Sequence, residues 1–206
     1  MAYRKVDETS LTAVADAIRA KGGTSGQLEF PDGFVSAVEA IQSGGGEDDS
    51  SFREVIERTA ANPTLPSDLT KIGDFAFYNY TNLALTSLPA GITSIGTYAF
   101  YNCKTLALTS LPAGIKSIDT YAFYGCRKLA LTSIPAGITS IVSYAFSNCA
   151  DLTTITFEGT PSSINGTAFS NCTKLTTINV PWAEGAVANA PWGAKNATIN
   201  YNYTGE

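Results

Sequence analysis

The hydrophobic positions of residues 65–179 recur with a 23-residue period. Five consecutive segments, 65–87, 88–110, 111–133, 134–156 and 157–179, align without a gap. An isoleucine column, an Ala-Phe column and a leucine column mark their register. These columns are Ile72, Ile95, Ile118, Ile141 and Ile164; Ala76-Phe77, Ala99-Phe100, Ala122-Phe123, Ala145-Phe146 and Ala168-Phe169; and Leu83, Leu106, Leu129, Leu152 and Leu175. Such a period predicts a stacked solenoid, in which each unit buries its apolar face against its neighbours.

The second segment shows the elements that we predict for every unit. Its Pro-Ala-Gly sequence indicates a turn, after which Ile92 and Ile95 point inward. Residues 98–103 are too few for a stable helix and predict a single helical or 3₁₀ turn. Residues 106–111 are predicted to form the strand, and strands of successive units would stack about 4.8 Å apart.

The register of that strand is ambiguous in the first three units, which read Leu-Ala-Leu-Thr-Ser. In one interpretation threonine faces the core and the second leucine is exposed. In the other the strand shifts and buries the leucine, because a slip of one residue inverts every side chain. The residues concerned are Leu85/Thr86, Leu108/Thr109 and Leu131/Thr132.

Residues 1–43 carry a different, helical periodicity. A first helix ending near Ala20 is stopped by a Lys-Gly-Gly sequence, and a second one begins at Pro31. The apolar faces consist of Leu11, Val14 and Ile18, and of Phe34, Val38 and Ile41. Two helices of roughly a dozen residues are marginal alone. We therefore predict a helical hairpin that docks on another copy of the chain or on a larger assembly.

The remaining segments predict a linker and two caps. Residues 44–50 are rich in glycine and acidic residues and indicate a flexible linker. Residues 51–64 are either a short helical cap on the solenoid or a degenerate half-repeat. Residues 180–206 depart from the repeat and are predicted to cap its other end, with Trp182 and Trp192 as lids. The fold class is thus an α+β repeat solenoid with a small N-terminal helical hairpin.

Charge and hydropathy exclude several functions. The chain has 206 residues with 13 Lys and Arg against 18 Asp and Glu. The excess acid lies before residue 65, and residues 65–206 carry seven charges of each sign. We therefore predict no nucleic-acid binding. No apolar run is long enough to span a bilayer. The first residues lack a secretory signal, which favours assembly in a host cytoplasm over export.

The sequence offers little for catalysis or metal binding. It contains no histidine, and the acidic residues of the repeats are scattered over different columns. Four cysteines lie in one column, Cys103, Cys126, Cys149 and Cys172. Residues stacked along a line cannot converge tetrahedrally on one metal, although bridging between neighbours is feasible by distance. We interpret the column as core packing and predict no enzyme activity, cofactor or metal.

Two sets of side chains are candidates for a binding surface. Tyrosines flank the Ala-Phe column on both sides, at Tyr78, Tyr98, Tyr101, Tyr121, Tyr124 and Tyr144. If one tyrosine column is exposed, its flat amphipathic rings suit sugars or protein; alternatively, both columns pack between coils. Basic residues follow the cysteine column and indicate an exposed rim, either a binding surface or simply solvated. They are Lys104, Arg127, Lys128 and Lys174.

The motif Ile-x-x-x-Ala-Phe-x-x-Cys-x-x-Leu in residues 141–152, followed by a strand, resembles the BspA-like (treponemal-type) leucine-rich repeats. That family consists mainly of bacterial surface adhesins, with other members in phage tail proteins. Residues 10–34 and 180–199 resemble segments that flank repeats in virion proteins of phages of gut Firmicutes.

These resemblances imply a non-enzymatic virion protein of the tail fibre or baseplate. Residues 1–43 would bind other virion proteins or form a homo-oligomer, with a trimer as one option. The solenoid would contact a bacterial surface glycan or protein. The alternatives are a bacterial cell-surface adhesin and a structural decoration of the capsid or tail.

Overall fold

The computed structural model describes residues 61–205, which form the successive coils of a solenoid. Nine short strands, all paired in parallel, make two sheets. The strands are β1 (Lys71–Ile72), β2 (Ser94–Ile95), β3 (Ser117–Ile118), β4 (Ser133–Ile134), β5 (Ser140–Ile141), β6 (Thr154–Phe157), β7 (Ser163–Ile164), β8 (Thr177–Asn179) and β9 (Thr198–Asn200). The predicted hairpin of residues 1–43, the linker 44–50 and most of the predicted cap 51–64 lie outside the described residues.

The isoleucine sheet, with the order β1-β2-β3-β5-β7, confirms the 23-residue period. Each of its strands pairs with the residues 23 positions further along the chain. Ile95, for example, lies opposite Ile72 on one side and Ile118 on the other. In each strand the residue before the isoleucine points outward and the isoleucine is buried. The register read from the sequence is therefore the register of the fold.

The strand predicted at residues 106–111 does not form. The second sheet, here the C-terminal sheet, has the order β4-β6-β8-β9 and begins only at β4. Buried and outward side chains alternate regularly along β6, as a strand requires. In residues 106–111 two exposed residues, Thr109 and Ser110, separate the buried Leu108 and Leu111. The segment forms no regular strand, and the N–H of Ala107 bonds to Leu85 O of the preceding coil (3.1 Å).

The burial pattern also resolves the ambiguous register. The three leucines are buried, and the three threonines that follow them are exposed. These are Leu85, Leu108 and Leu131, and Thr86, Thr109 and Thr132. The second interpretation, in which the chain shifts to bury leucine, is therefore correct. Burying a leucine side chain lowers the free energy of the folded state far more than burying a threonine side chain does.

The helical turn predicted at residues 98–103 is wrong. The segment forms consecutive β-turns, closed by bonds from Ala99 N to Gly96 O (3.3 Å), Tyr101 N to Tyr98 O (3.1 Å) and Cys103 N to Phe100 O (3.1 Å). Within residues 61–205 there is no α- or 3₁₀-helix. It follows that the described part of the chain holds no helix able to cross a membrane.

The alternate N–H groups of this segment bond to the next coil. Tyr98 N donates to Thr120 O (3.0 Å), Phe100 N to Ala122 O (2.7 Å) and Asn102 N to Tyr124 O (2.7 Å). Here we call these contacts the turn row. In a helix each N–H would bond to a carbonyl of the same helix. These N–H groups bond to the next coil instead, so the segment cannot form both a helix and the turn row.

The core consists of the columns predicted from the sequence. The buried phenylalanines of the five coils stack along the axis with centroids 5.1–5.4 Å apart and ring planes within 5° of parallel. The isoleucine, alanine, cysteine and leucine columns surround them and are equally buried.

The last coil is shorter than the others. Trp192 follows Phe169 by 23 positions, and its carbonyl accepts the Phe169 N–H (2.9 Å). In β9, however, Thr198 pairs with Thr177, an offset of only 21 positions. Trp182 and Trp192 are both buried, and both contact Phe157, with ring centroids 5.2 and 6.1 Å away. The two tryptophans thus lie over the core at the C-terminal end.

Candidate binding surface

Seven aromatic rings form two columns on the outside of the turn segments, and we call them the aromatic ladder. The first column is Phe75, Tyr98, Tyr121 and Tyr144, and the second is Tyr78, Tyr101 and Tyr124. They are placed by the buried Ala-Phe pair of each coil, because the residues on either side of that pair point away from the core. The ladder contains all six tyrosines that the sequence singled out.

The rings stack on one another along the axis of the solenoid. Neighbouring centroids lie 4.9–5.1 Å apart in both columns, with planes 7–13° from parallel. Across the columns the rings meet at 60–72°, with centroids 5.3–6.4 Å apart. Every ring is half-buried. The structure therefore lies between the two alternatives drawn from the sequence: the ring faces cover each other, and the edges and hydroxyls remain available.

The first column has an unusual backbone. Phe75, Tyr98, Tyr121 and Tyr144 all adopt the left-handed conformation, with φ of 55–57°. For a bulky residue this conformation costs about 1–3 kcal/mol. In the fifth coil Thr167 takes the corresponding position, and there the positive φ disappears. The same strained conformation thus recurs at this position in four successive coils.

A column of asparagines marks the second left-handed position of each coil, with φ of 56–60°. Its members are Asn79, Asn102, Asn148 and Asn171, and Gly125 replaces asparagine in the third coil. Asparagine and glycine are the residues that tolerate this conformation best. This exchange was the sequence signal for consecutive turns, and it was missed when a helical turn was predicted.

Packing changes the acidity of the ladder. The pKa of Tyr101 is raised, first because burial disfavours the phenolate and then because Tyr124 and Tyr78 lie beside it. The pKa of Tyr121 is raised in the same way, by burial and then by Tyr98 and Tyr144. At neutral pH the hydroxyls of these two tyrosines are therefore uncharged and can donate and accept hydrogen bonds.

The basic residues singled out in the sequence differ in their surroundings. All four are exposed. Lys128 and Lys174 lie on either side of Asp151, with N–O distances of 3.4 and 2.7 Å. The hydrogen bond from Lys174 lowers the pKa of Asp151. Lys104 and Arg127 lie one position earlier in their coils. The rim is thus partly neutralised by its own carboxylate.

The cysteines belong to the core, as the sequence predicted. Each thiol donates to the phenylalanine carbonyl of the preceding coil, at Sγ–O distances of 3.0–3.2 Å. All four are buried thiols. No cluster of three or more His, Cys, Asp or Glu side chains that could hold a metal ion occurs within residues 61–205.

We expect all four thiols to resist alkylation and disulfide exchange in the folded protein at pH 8. Burial raises the pKa of Cys126 and Cys149 well above the usual value and that of Cys172 to about 12, so the reactive thiolate is scarce. Titration with an aromatic disulfide reagent should detect no thiol before denaturation and four after it. Rapid reaction of the native protein would show that the coils open locally.

The parallel sheets, the 23-residue coils and the stacked phenylalanine core define a leucine-rich-repeat solenoid. A family model, described as the BspA type leucine rich repeat region, matches residues 49–183 of the chain with six copies of the repeat. The chain therefore belongs to the BspA-type leucine-rich-repeat family. The sixth copy agrees with the structure before residue 65, where Ala61 O accepts the N–H of Ala84, one repeat length further along the chain.

Solved structures show the same fold. A leucine-rich-repeat protein of T. pallidum (TpLRR) is 26% identical, with a TM-score of 0.55 over 70% of each chain. The pneumococcal vaccine antigen PcpA is 20% identical, with a TM-score of 0.50 over 62% of this chain. The match spans only 32% of the PcpA chain. No curated protein sequence matches this chain.

Proposed function

We propose that this protein is a non-enzymatic adhesion module of a bacterial surface and that the aromatic ladder contacts its partner. The observation that carries the proposal is the set of seven stacked, half-buried rings held outward in four successive coils. Tyrosine combines a large contact area with a hydroxyl and loses little conformational entropy on binding. Stacking lowers that loss further, because the rings are ordered before the partner arrives.

The family match fits the surface alternative at least as well as the virion hypothesis. The virion hypothesis depended on the resemblance of residues 10–34 and 180–199 to phage segments and on the expected lack of a signal. The comparisons give that resemblance no support. The adhesin that the sequence offered as the alternative now takes precedence, and the role of residues 1–43 in docking or oligomerisation stays a prediction.

Binding to surfaces tests the proposal. Fluorescently labelled full-length protein should bind at least one of two surfaces, immobilised bacterial cell-wall fractions or epithelial cell layers. The variant Tyr101→Ala/Tyr124→Ala should lower the affinity about tenfold or more, because central tyrosines of an interface are typical hot spots. Both rings lie in the second column, in direct stacking contact, so their loss opens the ladder at its centre.

The matched control is Thr109→Ala/Thr132→Ala. Both threonines are exposed in the same two coils, but on another part of the surface. This control should bind like the unmodified protein. Equal binding by the ladder variant and the unmodified protein would overturn the proposal, provided that the circular dichroism spectra of all three agree.

A further inference from the structure

We propose, building on the adhesion function above, that the ladder binds an extended, uncharged, β-1,4-linked glycan that lies along the solenoid axis with one sugar per coil. The partner is recognised by its period. The ladder repeats the same two aromatic side chains at centroid spacings of 4.9–5.1 Å. An extended β-1,4-linked chain advances by about one pyranose length per sugar, which is close to this spacing.

A peptide does not share that period. An extended strand advances about 3.3 Å per residue, and side chains on one face recur at roughly twice that distance. A peptide aligned with the ladder would therefore lose register within two coils. Successive sugars of an extended β-1,4-linked chain are turned over relative to each other, so the same edge of the sugar faces the ladder at every second coil and stays in register with it.

The chemistry of the ladder matches the hydroxyls of a sugar. Because the faces of the rings cover each other, a partner meets ring edges and phenol oxygens instead of flat faces. The second and third coils each present two hydroxyls, from Tyr98 and Tyr101 and from Tyr121 and Tyr124, whose ring centroids lie 5.3–5.4 Å apart. A pyranose carries hydroxyls on both long edges, so a pair of phenols can bond to one sugar.

Charge favours a neutral polymer. The columns of the ladder contain no charged side chain, and the raised pKa values of Tyr101 and Tyr121 keep those phenols protonated. A nucleic acid needs a row of cations along its phosphates, which the ladder does not provide.

The length of the ladder sets the length of the ligand. The first column has rings in four coils, and the second has rings in three, after which Ser147 takes the position. Because Phe75 has no hydroxyl, the phenols run from Tyr78 in the first coil to Tyr144 in the fourth, and their contacts should add up over about four sugars and then stop.

Calorimetry with β-1,4-linked N-acetylglucosamine oligomers, from the dimer to the hexamer, tests this inference. Affinity should rise roughly two- to tenfold with each added sugar, as expected for about one net hydrogen bond, and level off near the tetramer. α-1,4-linked glucose oligomers of equal length are the control. Their curved chains do not advance in step with the ladder, so their affinity should not rise with length.

Tyr121→Ser tests the role of the ladder itself. This change removes the ring between Tyr98 and Tyr144 and interrupts the first column. Affinity should then level off at a shorter oligomer. A plateau that does not move would contradict the proposed alignment, and so would equal rises in the α-linked and β-linked series.

This inference and the adhesion function can fail separately. If the ladder variant loses surface binding while neither sugar series binds, the ladder serves a protein partner and the glycan inference is wrong. If the ladder variant keeps full surface binding, the adhesion proposal itself fails.

Discussion

Replacing Phe123 by alanine is expected to lower the free energy of unfolding by about 3–5 kcal/mol, the usual cost of removing a buried phenylalanine. Phe123 is fully buried, and its ring stacks between those of Phe100 and Phe146 with centroids 5.2 and 5.4 Å away. The cavity would lie in the middle of the solenoid, where rigid coils on both sides limit collapse. Urea denaturation followed by circular dichroism measures the loss.

The control for this prediction is Lys104→Ala, a change at an exposed position of the preceding coil. It should alter stability by no more than about 0.5 kcal/mol. A loss below about 1 kcal/mol for Phe123→Ala, far under the usual cost of such a cavity, would contradict the close stacking of the phenylalanine column.

Deletion of residues 111–133, one complete unit, should give a shorter protein that still folds. The deletion would join Ser110 to Ile134 and so recreate the Ser-Ile sequence of β4. Ile95 would then pair with Ile141 instead of Ile118, in the same register. Repeat proteins gain stability from nearest-neighbour interfaces, so the loss of one coil should lower the melting temperature without abolishing cooperative unfolding.

A deletion of about half a unit, residues 111–122, is the matched control for this experiment. It would place the following columns out of register, bringing polar positions opposite the apolar columns of the preceding coil. We expect this protein to be unfolded by circular dichroism. If both deletions fold equally well, the 23-residue register does not determine the packing of the coils.

The sequence was sufficient for the solenoid and its core because the signal repeats. Ile95 alone indicates nothing, but an isoleucine at the same position of every unit indicates that each unit places it in the same structural position. The strand pairing agrees, since Ile95 lies opposite the isoleucines of both neighbouring coils. The strands themselves were harder to predict. Most have only two residues, too few for a two-residue alternation to stand out. The turn row was missed because its N–H groups bond to residues 22 positions away, outside any local pattern.

The candidate site was predicted in its residues and only partly in its geometry. The sequence left open whether the tyrosines beside the buried Ala-Phe pair are exposed or pack between coils, and all six lie half-buried in the ladder. Their stacking depends on the axial distance between coils and on the left-handed backbone of the first column. Neither follows from the order of residues within one coil. From the sequence we expected the flat faces of the rings to contact a partner, whereas in the structure the ring edges and hydroxyls are the parts that can do so.

The turn row also has a mechanical consequence. Neighbouring coils are joined by backbone bonds along the isoleucine sheet and along the adjoining turn row. A force that pulls the ends of the solenoid apart acts on the outermost coil first, while the inner coils keep both sets of bonds. Extension would then proceed one coil at a time, each releasing roughly 75–80 Å of chain. A solenoid built in this way yields to tension in steps and keeps its remaining coils folded.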